Sequence, residues 1–164
     1  MPRSESLPAA GGRSAGNGAG AQVHVNGIDR WPLVELSRGE VVRAARAALA
    51  SHPGPHEGEL SISFVDDAEI AELNMRWLDR AGPTDVIAFS LGSPESVLGD
   101  VYVSVDTATA NAAELGIAAE EELLRLVIHG TLHVLGHDHP EGAGRESSDM
   151  FRLQEELLRG LRDG

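Results

Sequence analysis

Hydrophobic residues recur along this chain with two different spacings, and each spacing predicts one kind of element. The segment ELSISFV alternates Leu60, Ile62 and Phe64 with polar residues, and a period of two is typical of a half-buried strand. Between residues 37 and 50, apolar side chains instead recur at helical spacing up to the breakers of SHPGP, which indicates a helix. The chain therefore combines strands and helices.

Further elements follow at short intervals along the sequence. Either Asp66 or Asp67 can cap a helix that has an apolar stripe on one face. Asp106 is the simplest N-cap for another helix, Thr107–Leu115, which Gly116 would end. The stripe of the first of these helices consists of Ile70, Leu73 and Trp77. Additional strands are predicted at QVHV (22–25), DVIAFS (85–90) and VLGDVYVSV (97–105).

The most apolar segment begins at Ala119 and predicts a helix. Its first turn contains Glu120, Glu121 and Glu122, which complement the helix dipole. The residues that follow, LLRLVIHGTLHVLG, are apolar nearly all round, so we expect a buried central helix. A last amphipathic helix is predicted at about 146–158. Strands with helices before, between and after them predict an α+β fold, in which a small mixed sheet packs against helices.

The composition suits one soluble domain and excludes some kinds of site. The chain has 164 residues, 41% hydrophobic and 24% charged, and no cysteine, so a disulfide scaffold and a thiolate metal site are both excluded. Residues 1–20 are rich in Gly, Ala and Ser and are predicted to be a disordered tail, which leaves 21–164 as a single domain. No apolar run approaches the about 20 residues that cross a bilayer, and the N-terminus lacks a signal-like apolar region. We therefore expect a cytoplasmic protein with no membrane partner.

The formal net charge of −13 disfavours non-specific binding to nucleic acid, because affinity for phosphates rests largely on Lys and Arg. A local basic patch is still compatible with this charge. Its candidate members are Arg43, Arg46, Arg76 and Arg80, although scattered arginines more often form an ordinary solvated surface.

The segment HGTLHVLGHDH carries the residues best suited to chemistry. His129 and His133 are four positions apart, so on a helix their imidazoles lie on one face and can converge on one ion. A single histidine in an apolar helix is usually a core residue, but two would need two buried hydrogen-bond partners. Three neutral imidazoles hold zinc and leave a fourth position for water, as in catalytic sites. The pattern therefore predicts a zinc site.

The spacing alone leaves the third ligand open between two histidines. His137 continues the four-residue rhythm if the helix persists, whereas His139 fits if Gly136 ends the helix and the chain turns back. Glycine favours the second arrangement. His137 is then either a loop side chain or a partner of a ligand, and Asp138 is a candidate acceptor for an imidazole N–H.

Three further positions bear on the reaction. Gly130 follows the first histidine, so the glutamate of H-E-x-x-H, the general base of common zinc peptidases, is missing. In the PTD turn, Asp85 is a candidate to orient or deprotonate water at the metal, although Thr and Asp after Pro are also ordinary turn residues. Gly99 suggests a close backbone approach, and Asp100 a carboxylate that bonds a neighbouring loop.

These segments together resemble the YbeY family of bacterial ribosomal RNA maturation factors. HGTLHVLGHDH is similar to the family's HG-x-LHL-x-G-[YF]-DH, with His137 in place of the usual aromatic residue. PTDVIAFS is similar to PTDVLSFP, and GDVYVSVDTA is similar to GD-x-x-[IV]S-x-[DE]-x-A. The resemblance extends from about Ile62 to Leu158, with the motifs in the same order.

The resemblance implies a cytoplasmic, single-strand-specific, metal-dependent endoribonuclease that acts in 16S rRNA 3′-end processing and ribosome quality control. It implies an α+β fold, one Zn²⁺ per chain, and His129, His133 and His139 as the metal ligands. Its expected partners are ribosomal RNA and components of the small ribosomal subunit. One difference lies in LNMRWL: many members carry LN-x-x-[YF]-R, and Leu78 stands where that arginine is proposed to bind RNA.

We therefore expect a zinc-dependent hydrolase that cleaves an RNA phosphodiester, with Asp85 as the candidate base and either water or the 2′-hydroxyl as nucleophile. One alternative is a zinc peptidase-like hydrolase, which the HxxxH spacing suggests. The other is a non-catalytic ribosome-assembly factor with a structural zinc, which the acidic charge and Leu78 favour. The oligomeric state is left open by the sequence.

Overall fold

A computed structural model describes residues 20–54, 57–92, 96–138, 144 and 148–163. The segment predicted to be a tail, residues 1–20, lies outside these ranges except for Gly20. The strands are β1 Gln22–Asn26, β2 Gly58–Val65, β3 Val86–Ser90 and β4 Val97–Ser104. The α-helices are α1 Arg38–Ala50, α2 Asp67–Leu78, α3 Val105–Leu115, α4 Ala119–Val134 and α5 Asp149–Asp163, and a short 3-10 helix spans Ile28–Arg30.

The strands form one sheet in the order β1-β2-β4-β3. β1, β2 and β4 run parallel, and β3 pairs antiparallel with β4 at the far edge. The predicted α+β fold with a small mixed sheet is thereby confirmed. In the described part of the chain, no helix combines the length and the apolar character needed to cross a bilayer.

One face of the sheet carries the main hydrophobic core. Leu60, Ile62 and Phe64 point into it and are at most 1% exposed, as their alternation predicted. α4 packs on β3 and β4 across this face, and α1 and α5 pack against α4. α4 is therefore the buried central helix that its apolar sequence predicted.

α4 can lie directly on β4 because two glycines remove the side chains that would separate them. A Cβ on Gly130 would lie 2.5 Å from Cγ1 of Val101, and a Cβ on Gly99 would lie 2.5 Å from Cγ1 of Val134. Non-bonded carbon atoms do not approach so closely, so each position needs glycine for its lack of a side chain. The close backbone approach expected at Gly99 is confirmed.

The opposite face of the sheet is covered over β3 and β4 by α2. A smaller core there joins Ile70 of α2 to Val65 and Ile87. The stripe predicted for α2 continues to Trp77, whose ring meets Phe89 edge to face at a centroid distance of 5.9 Å. The sheet therefore separates α2 from α4.

The helix ends show where the sequence-based boundaries hold and where they fail. Asp66 caps α2 through a capping box with Glu69, which is one of the two predicted choices. The predicted cap of α3 is wrong: the Ser104 side chain accepts the N–H of Thr107, and Asp106 lies inside the first turn. The last helix also runs to Asp163 rather than to residue 158, because Leu161 extends its apolar stripe onto the core.

Candidate metal centre

His129 and His133 lie one turn apart on α4 and point at each other. Their Nε2 atoms are 3.1 Å apart, and their ring centroids are 4.6 Å apart. His129 is buried, with 6% of its surface exposed, and His133 is partly buried. The four-residue spacing therefore brings the two imidazole edges together, as expected for residues on one helix face.

The other nitrogen of each ring faces an oxygen acceptor. Nδ1 of His129 lies 2.6 Å from Oε1 of Gln154, and Nδ1 of His133 lies 3.0 Å from the backbone carbonyl of His137. A carbonyl oxygen only accepts, so in each neutral ring the proton belongs on Nδ1. Each of the two Nε2 atoms that lie 3.1 Å apart then carries a lone pair.

This geometry suits a metal cation. Tetrahedral zinc binds imidazole nitrogens at about 2.0–2.1 Å, so two such ligands lie about 3.3 Å from each other. The separation of 3.1 Å is close to that value, and two lone pairs at this distance repel unless a cation or a proton lies between them. Within the described ranges, no group of three or more His, Asp or Glu side chains is placed to hold a metal. His139, the predicted third ligand, lies outside the described residues.

α4 ends just before Gly136, as this glycine predicted. α4 ends at Val134, and Gly136 adopts a left-handed φ of 102°, so the helix does not continue to His137. The ring of His137 instead packs edge to face against His52 at a centroid distance of 6.2 Å, while its carbonyl accepts from His133. Burial and the neighbouring His52 both lower the pKa of His137. His137 thus contacts His133, a predicted ligand, through its backbone carbonyl rather than through its imidazole.

The missing glutamate of H-E-x-x-H has a structural cause. Gly130 faces the sheet, where an added Cβ would also lie 3.3 Å from Cγ2 of Val86 besides its clash with Val101. No glutamate side chain can occupy this position while α4 rests on β4. The position that supplies the general base in common zinc peptidases is therefore closed in this fold.

Asp85 does not bond the imidazoles. Its backbone carbonyl accepts the N–H of Ser104, and its carboxylate lies close enough to Glu122 to raise the pKa of that residue. Between the Asp85 side chain and either His129 or His133, no hydrogen bond exists in the described structure. Its catalytic role stays a prediction.

An ionic network that the sequence analysis did not identify lies beside the histidines on the same helix. Arg125 donates to Glu122 at 2.9 Å, to Glu121 at 3.1 Å and to both carboxylate oxygens of Glu155 at 2.8 and 3.1 Å. The i, i+3 and i, i+4 spacing on α4 would have indicated the first two pairs. Glu155 comes from α5, so no local pattern indicated it.

Burial and the neighbouring charges shift the pKa values of the residues in this network. Burial raises the pKa of Glu122 and outweighs the opposing effect of Arg125. Burial also acts to raise the pKa of Glu155, but hydrogen bonds from Arg125 and Gln154 bring it below its ordinary value. Burial acts to lower the pKa of Arg125, and its bonds to the glutamates raise it overall. Arg125 and Glu155 therefore remain a charged pair.

Other candidate residues are not gathered at this site. Arg43 and Arg46 belong to α1, whereas Arg76 belongs to α2 and Arg80 follows it on the opposite side of the sheet, so the four do not form one basic patch. Asp100 alternates with Val101 and faces away from α4, where burial raises its pKa. The loop contact expected of Asp100 is not among the hydrogen bonds of the described residues.

The fold and the site define a small α+β protein with paired histidines on a buried central helix. The Endoribonuclease YbeY family matches residues 34–162 of the chain. The chain belongs to this family, which confirms the resemblance found in its motifs.

Individual relatives agree with this assignment. The chain is 37% identical over 142 residues to the Endoribonuclease YbeY of Chelativorans sp. (strain BNC1), covering 82% of this chain and 85% of that protein. It is 40% identical over 134 residues to the Endoribonuclease YbeY of Micrococcus luteus, covering 76% and 84%. In structure it is similar to TM1509 from Thermotoga maritima, solved in solution, with a TM-score of 0.54 and 24% identity over 87% of this chain and 90% of that one. The structural likeness concerns the fold alone.

Proposed function

We propose that this chain is a zinc-dependent, single-strand-specific endoribonuclease that matures ribosomal RNA at the 16S 3′ end and contributes to ribosome quality control. The observation that carries the proposal is the convergence of the Nε2 atoms of His129 and His133 at 3.1 Å, with both Nδ1 atoms bonded to oxygen. His139 is the proposed third ligand, and one zinc ion per chain is expected.

In this proposal, the histidines hold the metal and Asp85 accepts a proton. Zinc supplies Lewis acidity toward a phosphoryl oxygen and lowers the pKa of water to about 7. His129 and His133 hold the ion with their Nε2 lone pairs. Asp85 is the proposed base, which takes the proton of the attacking hydroxyl of water or of the RNA 2′ position. The next residue, Val86, packs against the turn of α4 that carries His129, which brings the backbone of Asp85 to this helix and supports the role.

An RNA substrate is supported by family membership, since the relatives are named as endoribonucleases. The net charge of −13 and the dispersed arginines offer little general attraction for phosphates. We therefore propose that RNA is presented to the enzyme in the cytoplasm within the small ribosomal subunit, whose components are its partners.

Two alternative functions differ in how well they fit the residues of the chain. A zinc peptidase-like hydrolase is disfavoured because Gly130 leaves no room for the glutamate base of H-E-x-x-H. A non-catalytic ribosome-assembly factor with a structural zinc is the second candidate, and the acidic charge together with Leu78 in place of an arginine favours it.

The test combines metal analysis with RNA cleavage. Purified wild-type protein, His133→Ala and His24→Ala are compared for bound zinc by mass spectrometry, and for cleavage of end-labelled single-stranded and duplex RNA. His24 is a matched control because it lies on the edge strand β1, separated from β4 by β2. We expect about one zinc per chain and cleavage of the single strand in wild type and His24→Ala, and loss of both in His133→Ala.

The outcomes separate the candidates. Zinc binding by wild type without RNA cleavage, together with binding to ribosomal RNA or a subunit component, supports the assembly factor. Cleavage of casein that is lost in His133→Ala supports the peptidase. Wild-type protein that binds no zinc overturns the metal site itself.

A further inference from the structure

A buried glutamine on the last helix contacts His129, one of the proposed metal ligands. Gln154 is 4% exposed, and its Oε1 lies 2.6 Å from Nδ1 of His129, 25 residues earlier in the chain. It occupies the apolar face of α5, one turn from the buried Met150 and one turn from the buried Leu158. An amide placed among such residues is costly unless its polar atoms are bonded. Its position therefore calls for a specific partner, and His129 is that partner.

The amide has one chemically allowed orientation. Gln154 Nε2 donates to Oε2 of Glu155 at 3.0 Å, and the carboxylate of Glu155 is itself held by Arg125. A carboxylate accepts hydrogen bonds and donates none, so the NH₂ group of the amide must face Glu155. Oε1 of Gln154 then has to face His129.

The orientation of the amide determines the state of the imidazole. Because Oε1 accepts, the neutral ring of His129 must carry its proton on Nδ1 and its lone pair on Nε2. The same bond also fixes the rotation of the ring. Such outer partners set both the tautomer and the direction of a histidine that binds a metal.

We propose that Gln154 is a positioning residue that prepares His129 for the metal, and that Arg125 and Glu155 hold its amide in the required orientation. The inference rests on the proposed metal-dependent function, and it names three residues of α4 and α5 that the family motifs do not contain. It predicts that metal affinity depends on a side chain that cannot touch the metal.

The test replaces Gln154 and measures both the zinc affinity of the protein and the tautomer of the His129 ring. Gln154→Leu removes the acceptor and puts an apolar side chain of similar size in its place. Met150→Leu changes packing on the same helix face without touching the imidazole and is the matched control. Zinc affinity is measured by competition with a chromophoric chelator, and the His129 tautomer of metal-free protein by long-range ¹H–¹⁵N NMR.

Gln154→Leu is expected to weaken zinc binding about ten- to a hundred-fold. In that variant the metal-free His129 ring should also lose its uniform Nδ1–H tautomer. Met150→Leu should stay near wild type in zinc affinity. Circular dichroism of each variant verifies that it is folded.

Zinc affinity and tautomer that are both unchanged in folded Gln154→Leu overturn the inference. If wild type binds no zinc, the proposed function fails, and the NMR comparison still decides whether Gln154 sets the His129 tautomer.

Discussion

The Nε2 atoms of His129 and His133 lie 3.1 Å apart on successive turns of α4. Both Nδ1 atoms face oxygen acceptors, so neither ring can bind a cation through its Nδ1 atom. This pair is formed by the folded helix and the elements docked on it. A cation bound here therefore stabilises the native chain relative to the unfolded one.

Added zinc should raise the thermal stability of the protein. At a free zinc concentration a hundredfold above its Kd, the expected gain is about 2.7 kcal/mol. His129→Ala should lose most of this gain because it removes one of the ligands, whereas His24→Ala should retain it. Differential scanning calorimetry with and without zinc measures the difference, and an equal gain in His129→Ala would contradict the assignment.

Gly130→Ala should destabilise the protein by about 1–3 kcal/mol, because the new methyl group meets Cγ1 of Val101 at 2.5 Å. The matched control is Gly160→Ala in α5, where a Cβ meets nothing within 4 Å. That change should be neutral or stabilise by up to about 1 kcal/mol, since alanine is the better helix former. Urea denaturation measures both variants. Equal effects of the two substitutions would show that α4 does not rest tightly on β4.

Ser104→Ala should cost more stability than Asp106→Ala. Ser104 is fully buried, accepts the N–H of Thr107 and donates to Oδ1 of Asp67, so its removal should cost about 1–3 kcal/mol. Asp106 accepts one exposed N–H from Asp67, and its removal should cost less than about 1 kcal/mol. Chemical denaturation measures both, and the reverse order would restore Asp106 as the cap of α3.

The Arg125–Glu155 pair predicts a specific dependence of stability on pH. The pKa of Glu155 lies below its ordinary value of 4.5 in the folded protein. Its ionised form therefore contributes stability above that pH, and the contribution is lost as the pH falls through the lowered pKa. The free energy of unfolding of wild type should exceed that of Glu155→Gln at neutral pH, and the gap should shrink in acid.

Glu122→Gln serves as the control of opposite sign. Burial raises the pKa of Glu122, so wild type should gain stability relative to this variant as the pH falls toward 4.5. Urea denaturation of all three proteins between neutral pH and about pH 3 measures both trends. A gap between wild type and Glu155→Gln that does not change with pH would be incompatible with the charged pair.

Leu78→Arg should strengthen binding to single-stranded RNA. Leu78 is 43% exposed at the end of α2, so an arginine can replace it without entering the core. One added phosphate contact also steepens the salt dependence of binding to a single strand by about 0.7 in log–log slope. Leu115→Arg, at a site 65% exposed at the end of α3, adds the same charge elsewhere. Fluorescence anisotropy at several salt concentrations measures both, and equal gains would argue against RNA binding near Leu78.

Periodicity predicted the parts of the fold that depend on local pattern. The alternation of Leu60, Ile62 and Phe64 identified a strand with one buried face, and the apolar sequence around His129 identified the central helix. Gly136 predicted the end of α4 because a left-handed turn favours glycine. These features are encoded within a few residues of where they act.

The features that were missed depend on residues far apart in the chain. Gln154 and His129 are separated by 25 residues, and Glu155 and Arg125 by 30, so their contacts follow from how α5 docks on α4. The cap of α3 is predicted at Asp106 instead of Ser104, where it lies, because the sequence does not reveal the residue at which β4 gives way to α3. The predicted third ligand, His139, lies outside the described residues, so the complete site stays a prediction.

Because Gln154 belongs to α5, the orientation of His129 on α4 depends on the docking of a second helix. Local opening of one helix requires less free energy than global unfolding. When α5 detaches, His129 loses the acceptor that fixes the rotation and the tautomer of its ring. Release of a bound ion and detachment of α5 would then be coupled, so the residence time of the metal would depend on how long this helix stays docked.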